Sequence, residues 1–222
     1  MSTPRRFVSI EGVDGAGKST HLDFIAATLA RHGHDVLRTR EPGGTPAGER
    51  LREVLLSQAM TPTTELMLMF AARSEHVETV ILPALHAGRT VLTDRFTDSS
   101  RAYQVAGKGV HPSMLWNLET LTCPISPALT FVFDVPPEVA RQRMRGRELD
   151  RFEAEGEAFH ARVRQAFLDL AEAEPERVHI IDANRPIQAI RRDLAQQLQQ
   201  FAAQFPRPSQ PGQGATCRQR AA

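Results

Sequence analysis

Residues 7–20, FVSIEGVDGAGKST, decide the fold class of this chain. An apolar strand pattern precedes the glycines, and an amphipathic run over residues 21–31 indicates a helix after them. Between these two elements, residues 12–19 match the phosphate-binding pattern G-x-x-x-x-G-K-[ST] at every fixed position. Because strand, glycine-rich turn and helix are the context that this pattern needs, the sequence predicts a phosphate-binding loop rather than an ordinary turn.

Different residues of the predicted loop, residues 12–19, are expected to bind different parts of a nucleotide. Its glycines allow positive φ and a close approach of the backbone to a ligand, and its amides form an anion cradle with the helix N-terminus. Lys18 would reach the β- and γ-phosphates of a nucleotide, and the Ser19 hydroxyl would bind Mg²⁺. The predicted nucleotide-binding residues are Gly12, Val13, Asp14, Gly15, Ala16, Gly17, Lys18, Ser19 and Thr20.

Length and composition limit the possible classes of protein. The 222 residues suit one domain with a buried core, and the formal net charge of +1 gives no signal for a polyanion or membrane partner. Cys123 and Cys217 lie far apart, so a disulfide framework is not expected and a reducing compartment fits. No signal-type segment and no apolar run of about 18 residues is present. We therefore expect a cytoplasmic protein without membrane or nucleic-acid partners.

Strand-like and helix-like patterns alternate along the chain. Further short strands are predicted at residues 35–39, 90–93, 129–135 and 178–181. This alternation predicts an α/β fold in three layers, with a five-stranded parallel sheet flanked by helices. Helices are predicted at 48–57, 65–85 with an interruption near Pro83, 113–121, 138–147, 159–174 and 187–205. We expect a single domain over residues 1–205 and a disordered tail, rich in Pro, Gln and Gly, over residues 206–222.

Charged residues follow two more of the predicted strands, at the edge where parallel sheets bind ligands. Asp94 and Arg95 end the third strand, where Asp94 would face a metal through water and Arg95 a second phosphate. The alternative is that Asp94 only caps a helix. Arg40 and Glu41 begin a Pro-Gly-Gly loop that forms either the rim of a second ligand site or a plain turn. Arg52 lies on the next predicted helix. It either binds an anion or is a solvated surface charge, and the sequence favours neither alternative.

Phe70 and Arg73 are three residues apart and share one face of the long predicted helix. In that arrangement the aromatic ring could stack on a base while the guanidinium pairs with the polar edge of the same base. The alternative is that Phe70 packs in the core and Arg73 lies on the surface. The spacing alone is compatible with both arrangements.

Five arginines crowd residues 141–151, and helical spacing cannot place all of them on one face. This density predicts a mobile cationic lid over about residues 141–155, since phosphoryl transfer needs cations around the transferring group. A solvated basic helix or a nucleic-acid contact is the alternative. The lack of interleaved aromatic residues and the nearly neutral chain argue against nucleic acid. The five arginines are Arg141, Arg143, Arg145, Arg147 and Arg151.

Together these motifs resemble the thymidylate kinase family, nucleoside monophosphate kinases that act on dTMP. The resemblance covers about residues 7–190. Besides residues 7–20, its markers are TREPGGTP (39–46), LMFAAR (68–73), DRFTDSSRAYQ (94–104) and GRELDRFE (146–153). The phosphate loop alone is unspecific among NTPases, whereas the REPGGT loop followed by DRFTDSSRAYQ is highly specific.

The resemblance implies transfer of the γ-phosphoryl group of MgATP to dTMP, for dTTP synthesis, in a homodimer. It implies that residues 12–20 bind ATP and that Ser19 and Asp94 organise Mg²⁺. It places Asp14 near the sugar, Phe70 on thymine, Arg73 on its carbonyl edge, and Tyr103 where it excludes a ribose. The implied dTMP-binding residues are Asp14, Glu41, Arg52, Phe70, Arg73, Arg95, Ser99, Tyr103 and Gln104. The implied catalytic residues are Lys18, Arg95, Arg143, Arg147 and Arg151.

Gly15 and the arginine-rich lid are similar to the bacterial type of the family, in which the lid supplies the catalytic arginines. In two places the chain departs from the family pattern. Lys108 stands in a stretch that carries Arg in the family, and Lys cannot make the bidentate contact of Arg. Some members place the stacking Phe four residues before the Arg, which would put Met69 rather than Phe70 at the base.

Two other functions are compatible with the phosphate loop. One is a kinase for a different nucleoside monophosphate, which Phe70, Arg73 and the Tyr103-Gln104 pair argue against. The other is a non-catalytic nucleotide-binding module or switch. A GTPase would need a guanine-reading N-K-x-D segment, and the sequence contains none.

Overall fold

The computed structural model of the chain describes residues 6–146 and 149–206. Within them, five strands form one sheet, and every neighbouring pair is parallel. The strands are β1 (Phe7–Glu11), β2 (Val36–Arg40), β3 (Thr90–Asp94), β4 (Leu129–Asp134) and β5 (Val178–Asp182). Their order is β2-β3-β1-β4-β5, so β1 is central and all carboxyl ends lie along one edge. The predicted five-stranded parallel sheet is confirmed.

Helices connect the strands and flank the sheet. They are α1 (Lys18–Arg31), α2 (Pro46–Ser57), α3 (Pro62–His76), α4 (Leu82–His86), α5 (Thr97–Ser100), α6 (Pro112–Thr122), α7 (Pro137–Met144), α8 (Glu157–Ala173) and α9 (Ile187–Gln204). Two π-helical segments also occur, at Val77–Ile81 and Arg101–Gly107. None of the helices in the described ranges has both the length and the apolar character needed to cross a bilayer.

Apolar side chains are buried on both faces of the sheet. In β1, Phe7 packs with Val77, Ile81 and Val91 in one cluster, while Val8 belongs to another. Neighbouring residues of a strand point to opposite faces, so each face has its own cluster. A central strand that is buried on both sides is typical of a parallel sheet between two helical layers.

The helix predicted over residues 65–85 is divided into three parts. A π-helical segment separates α3 from α4, and Pro83 lies in the first turn of α4. Proline cannot donate the backbone hydrogen bond that a continuous helix requires, which accounts for an interruption at this place. The other π-helical segment, with α5 before it, was not predicted, and it carries Tyr103 and Gln104.

Two predicted regions are only partly described. The proposed lid, about residues 141–155, begins inside α7 and continues through a loop towards α8, but residues 147 and 148 lie outside the described ranges. Of the predicted tail, residues 206–222, only Pro206 is described.

Candidate active site

The loop between β1 and α1 takes a backbone conformation that depends on glycine. Gly12, Gly15 and Gly17 have φ values of 126°, 78° and 89°. A Cβ on Gly12 would lie 2.3 Å from the carbonyl oxygen of Phe133, and one on Gly15 would lie 2.5 Å from that of Ala140. The loop therefore packs closely against β4 and α7, and no side chain fits at these two positions.

Lys18 lies across this loop. Its Nζ donates to the carbonyl oxygens of Gly12 and Val13, both at 3.0 Å, and lies 3.8 Å from Oδ1 of Asp14. Burial lowers the pKa of Lys18, and the positive charge of Arg95 adds to this effect. An ammonium group has three N–H donors, so one remains for an anion bound in the cradle.

Arg95 connects the phosphate loop to the second π-helical segment. It follows β3 directly and has a φ of 71°. Its Nη1 donates to the carbonyl oxygen of Gly12 at 3.0 Å and to Oγ of Ser99 at 3.1 Å. Its Nη2 donates to Oδ1 of Asp14 at 2.6 Å and to the Tyr103 hydroxyl at 3.3 Å. One guanidinium thus contacts both the loop and the side chains beyond it.

Asp14 is the anionic centre of this network. The Tyr103 hydroxyl donates to its Oδ2 at 3.1 Å, and Arg95 pairs with its Oδ1. Burial raises the pKa of Asp14, but the charges of Arg95 and Lys18 outweigh it and hold the pKa well below its usual range. Burial raises the pKa of Tyr103, so this hydroxyl stays protonated and remains a hydrogen-bond donor.

Glu41 and Arg73 form a buried ion pair at the neighbouring strand end. Nε of Arg73 donates to Oε2 of Glu41 at 2.6 Å, and Nδ1 of His76 lies 2.9 Å from Oε1. Arg73 also donates to Oγ of Ser100 and to the carbonyl oxygen of Phe96, both at 3.1 Å. Both carboxylate oxygens of Glu41 therefore contact protein side chains, one of them Arg73 and the other His76.

A cavity of about 80 Å³ lies between these groups. The structure brings eight of the nine predicted dTMP-binding residues to its wall, which confirms their proximity but does not test their roles. They are Asp14, Glu41, Arg52, Arg73, Arg95, Ser99, Tyr103 and Gln104.

Phe70 is the exception: it is not among the residues that line this cavity, and its predicted contact with the base stays a prediction. Its ring is 1% exposed and packs with Leu66, Val110 and Leu115, whereas Met69 lines the cavity. Successive residues of a helix point about 100° apart, so Met69 and Phe70 cannot face the same space. The alternative that was left open, with Phe70 in the core and Arg73 on the surface, does not describe Arg73, because Arg73 is buried and its Cζ lies 4.6 Å from the Phe70 ring centroid.

Arg52 contributes a positive charge to the cavity wall. Its Nη1 donates to the carbonyl oxygen of Pro42 at 3.0 Å, and within the described ranges it has no carboxylate in ion-pair contact. Burial lowers the pKa of Arg52, and the charge of Arg40 acts in the same direction. A partly buried cation with only a neutral partner is suited to bind an anionic ligand.

The predicted magnesium ligands fit the ion in their chemistry. Oδ1 of Asp94 is buried, and among the described residues it has no hydrogen-bond partner; Ser19 is exposed at the start of α1. No group of three His, Cys, Asp or Glu in the described part of the chain could hold a metal alone. Mg²⁺ is commonly held by one or two protein oxygens together with phosphate oxygens and water, and Asp94 and Ser19 carry oxygens of that kind.

The predicted lid arginines lie in different places. Arg143 donates to the carbonyl oxygens of Ala16 at 3.3 Å and Ala183 at 2.9 Å, so it lies on the phosphate loop. Arg151 donates to the carbonyl oxygen of Leu55, on α2, at 2.9 Å. Arg147 lies outside the described residues. A second cavity of about 370 Å³ separates the loop from the lid and is lined in part by Asp14, Arg141 and Arg145.

Several buried carboxylates were not singled out in the sequence, among them Glu11 and Glu65. Glu11, at the end of β1, accepts from the backbone N–H of Phe96 at 2.7 Å and from Oγ of Ser99. Burial, with the charge of Asp98 next, raises the pKa of Glu11 to about 8. Glu65, on α3, accepts from Gln104. Each lies in or beside a largely apolar run, which is the signal that could have indicated a buried polar role.

A parallel α/β sheet with a phosphate loop after its central strand, and a cation-lined cavity at the same edge, defines a P-loop nucleotide phosphotransferase. The family model for thymidylate kinase matches residues 10–194. The chain belongs to the thymidylate kinase family, whose members are nucleoside monophosphate kinases. The predicted family, and with it the expectation of an enzyme, is confirmed.

Individual relatives agree with this assignment. The thymidylate kinase of Thiobacillus denitrificans is 50% identical over 201 residues, which covers 90% of this chain and 98% of that relative. The thymidylate kinase of Pseudomonas fluorescens is 52% identical over 187 residues, covering 82% and 89%. A crystal structure of thymidylate kinase from Ehrlichia chaffeensis is similar with a TM-score of 0.71 and 33% identity, and the match covers 87% of this chain and 97% of that one.

Proposed function

We propose that this protein transfers the γ-phosphoryl group of ATP to the phosphate of dTMP and releases dTDP for dTTP synthesis. The observation that carries the proposal is the position of Arg95. Its guanidinium contacts the phosphate loop at Gly12 and also lines the neighbouring cavity. A donor phosphate in the loop and an acceptor phosphate in the cavity would therefore meet at one cation, which phosphoryl transfer requires.

On the donor side, the loop amides and Lys18 hold the phosphates of ATP. Ser19 and Asp94 would hold Mg²⁺, which when bound neutralises charge on the phosphate oxygens. The acceptor is itself an anion, so no strong general base is needed. Catalysis then depends on positioning and on charge neutralisation by Lys18 and Arg95.

On the acceptor side, Arg52 and Arg95 bind the phosphate of dTMP. Asp14 and Tyr103 line the cavity together and would hold the sugar, and Tyr103 would exclude a ribose. Arg73 and Gln104 would read the polar edge of thymine. Met69, which lines the cavity, takes the base-contacting role that the sequence assigned to Phe70.

The lid completes the site in this proposal. Residues 141–155 close over both nucleotides within a single kinase domain and exclude water, which would otherwise accept the phosphoryl group. Arg143 already contacts the loop, and Arg147 and Arg151 would supply further positive charge as the lid closes. Replacing each of these arginines by Ala should lower kcat more than it weakens substrate binding.

The proposal includes a cytoplasmic homodimer. Apolar side chains are exposed on α3 and α6, including Met67 at 52%, Trp116 at 64% and Leu121 at 81%. These two helices pack on one another and offer a continuous candidate interface. Sedimentation velocity tests this part: a species of twice the 24.6 kDa chain mass is expected, and a monomer at micromolar concentration contradicts it.

The activity is tested with a panel of nucleoside monophosphates and MgATP, with product nucleoside diphosphates measured directly. We expect strong preference for dTMP over CMP, AMP and GMP. Equal use of CMP or AMP would refute the acceptor assignment, and the absence of any phosphoryl transfer would favour the non-catalytic module.

A further inference from the structure

Glu65 is a fully buried carboxylate that the mechanism above does not use. It lies on α3 and is 0% exposed. Its Oε1 accepts from Nε2 of Gln104 at 2.9 Å. Its Oε2 is 2.9 Å from Nζ of Lys108 and 2.5 Å from Nη2 of Arg151. One side of the carboxylate therefore contacts an uncharged amide, and the other side contacts two cations.

These contacts determine how the amide of Gln104 is turned. A carboxylate oxygen accepts hydrogen bonds, and the other oxygen of Glu65, Oε2, already lies against the cations Lys108 and Arg151. The NH₂ group of Gln104 must therefore face Glu65, because the reverse orientation would bring two acceptor oxygens together. Gln104 lines the cavity, and its Oε1 has no hydrogen-bond partner among the described residues.

We infer that Glu65 is a positioning residue for base selection, because it holds the Gln104 amide with its acceptor oxygen towards the base. This inference rests on the proposed function. A base with N–H at ring position 3, as in thymine, donates to that oxygen. A base with a lone pair there, as in cytosine, meets acceptor against acceptor. Rejection by an opposed buried acceptor is stronger than rejection by shape alone.

The test compares kcat/KM for dTMP and for 5-methyl-dCMP, which differ only at ring positions 3 and 4. In Glu65→Gln the new amide can donate to Gln104 Oε1, so both orientations of Gln104 become available. We expect the dTMP to 5-methyl-dCMP ratio of kcat/KM to fall at least about tenfold. If Glu65 only supports the fold or anchors Arg151, both substrates lose activity equally, and an unchanged ratio overturns the inference.

Two further variants sharpen this test. Lys108→Met removes a cation from the same carboxylate but leaves Glu65 an acceptor, so the substrate ratio should stay near that of the wild type. The double variant Glu65→Gln with Gln104→Glu keeps the net charge and the hydrogen bond, and again presents an acceptor to the base. The ratio should recover in the double variant even if Glu65→Gln alone does not fold, and a low ratio there contradicts the inference.

The wild-type enzyme separates this inference from the proposed function. If the wild type phosphorylates no nucleoside monophosphate, the proposed function itself fails. If it prefers dTMP while the ratio is unchanged in Glu65→Gln, only the positioning role of Glu65 fails.

Discussion

Replacing Glu41 by Gln measures what the buried ion pair behind the acceptor cavity contributes. The side chains of Glu41 and Arg73 are each 3% exposed and meet at 2.6 Å. Removing one charge of a buried pair costs about 3–5 kcal/mol, because the other charge stays buried without compensation. Arg73 keeps its bonds to Ser100 and Phe96, and Gln can still accept from Nε, so we expect the lower end of that range, about 3 kcal/mol.

Urea unfolding at pH 7.5 provides the measurement, with the free energy of unfolding taken from the midpoint and slope. For a chain of this size, about 3 kcal/mol corresponds to a Tm lower by roughly 6–12 °C. The matched control is Asp23→Asn, which neutralises a carboxylate paired with Arg38 at the surface. Asp23 is 86% exposed, so its loss should cost about 0–1 kcal/mol.

Comparing the two variants shows whether the buried Glu41–Arg73 pair contributes more than a surface ion pair. Glu41→Gln should also raise KM for dTMP, because Arg73 loses the carboxylate that orients it, whereas Asp23→Asn should not. If Glu41→Gln and Asp23→Asn lose stability equally, the buried pair is not the determinant described above, and its assignment as the support of Arg73 is refuted.

Lys18→Ala should reduce turnover to background while the Tm changes little, as measured by a coupled ADP assay and thermal unfolding. Gly15→Ala should weaken ATP binding in calorimetry and lower stability by about 1–3 kcal/mol, because its Cβ would lie 2.5 Å from the Ala140 carbonyl oxygen and φ is 78°. Glu11→Gln should reduce a pH dependence of stability: the wild type should lose up to about 1 kcal/mol per pH unit between pH 6.5 and 8, and the variant should lose less.

The sign of the Glu11 effect follows from its raised pKa. Between pH 4.5 and about 8 the folded carboxyl group keeps a proton that the unfolded chain has released. Its stabilising contribution is therefore complete below pH 4.5 and is lost by about pH 8. The lowered pKa values of His21, His34 and His179 act in the opposite direction below pH 6.5, so the slopes are compared above 6.5. The lowered pKa of Lys18 affects wild type and variant alike, so the difference between their slopes reports Glu11. Parallel slopes for wild type and Glu11→Gln would contradict the assignment.

The features that the sequence predicted correctly are those set by local patterns. The fixed glycines of residues 12–19 determine the loop, and the alternation of apolar runs determines the parallel sheet. Charged residues after strands were correctly expected at one edge, since Glu41, which follows β2, and Arg95, which follows β3, both line the cavity. Each of these patterns lies within a short stretch of the sequence, so it can be recognised without knowing which distant residues are in contact.

The features that were missed depend on contacts between distant parts of the chain. Met69 and Phe70 are neighbours on α3. Only the packing of α6 against α3 determines which of these two side chains is buried in the core. Glu41 finds its partner Arg73 thirty-two positions away, so nothing in its own loop indicates a buried pair. The π-helical segment that carries Tyr103 does not follow the 3.6-residue repeat of an α-helix, so an analysis of hydrophobic periodicity does not detect it.

Arg95 illustrates a conflict that concerns anyone seeking a more heat-resistant form of this enzyme. Its φ of 71° is a backbone conformation that glycine adopts without steric strain and that strains other residues. A search for stabilising substitutions guided by backbone geometry would therefore select Arg95→Gly first. That exchange would remove the guanidinium that links the loop, at Gly12 and Asp14, to Ser99 and Tyr103. At position 95, thermal stability favours glycine whereas catalytic turnover requires arginine. Engineering for stability should therefore begin at other positions.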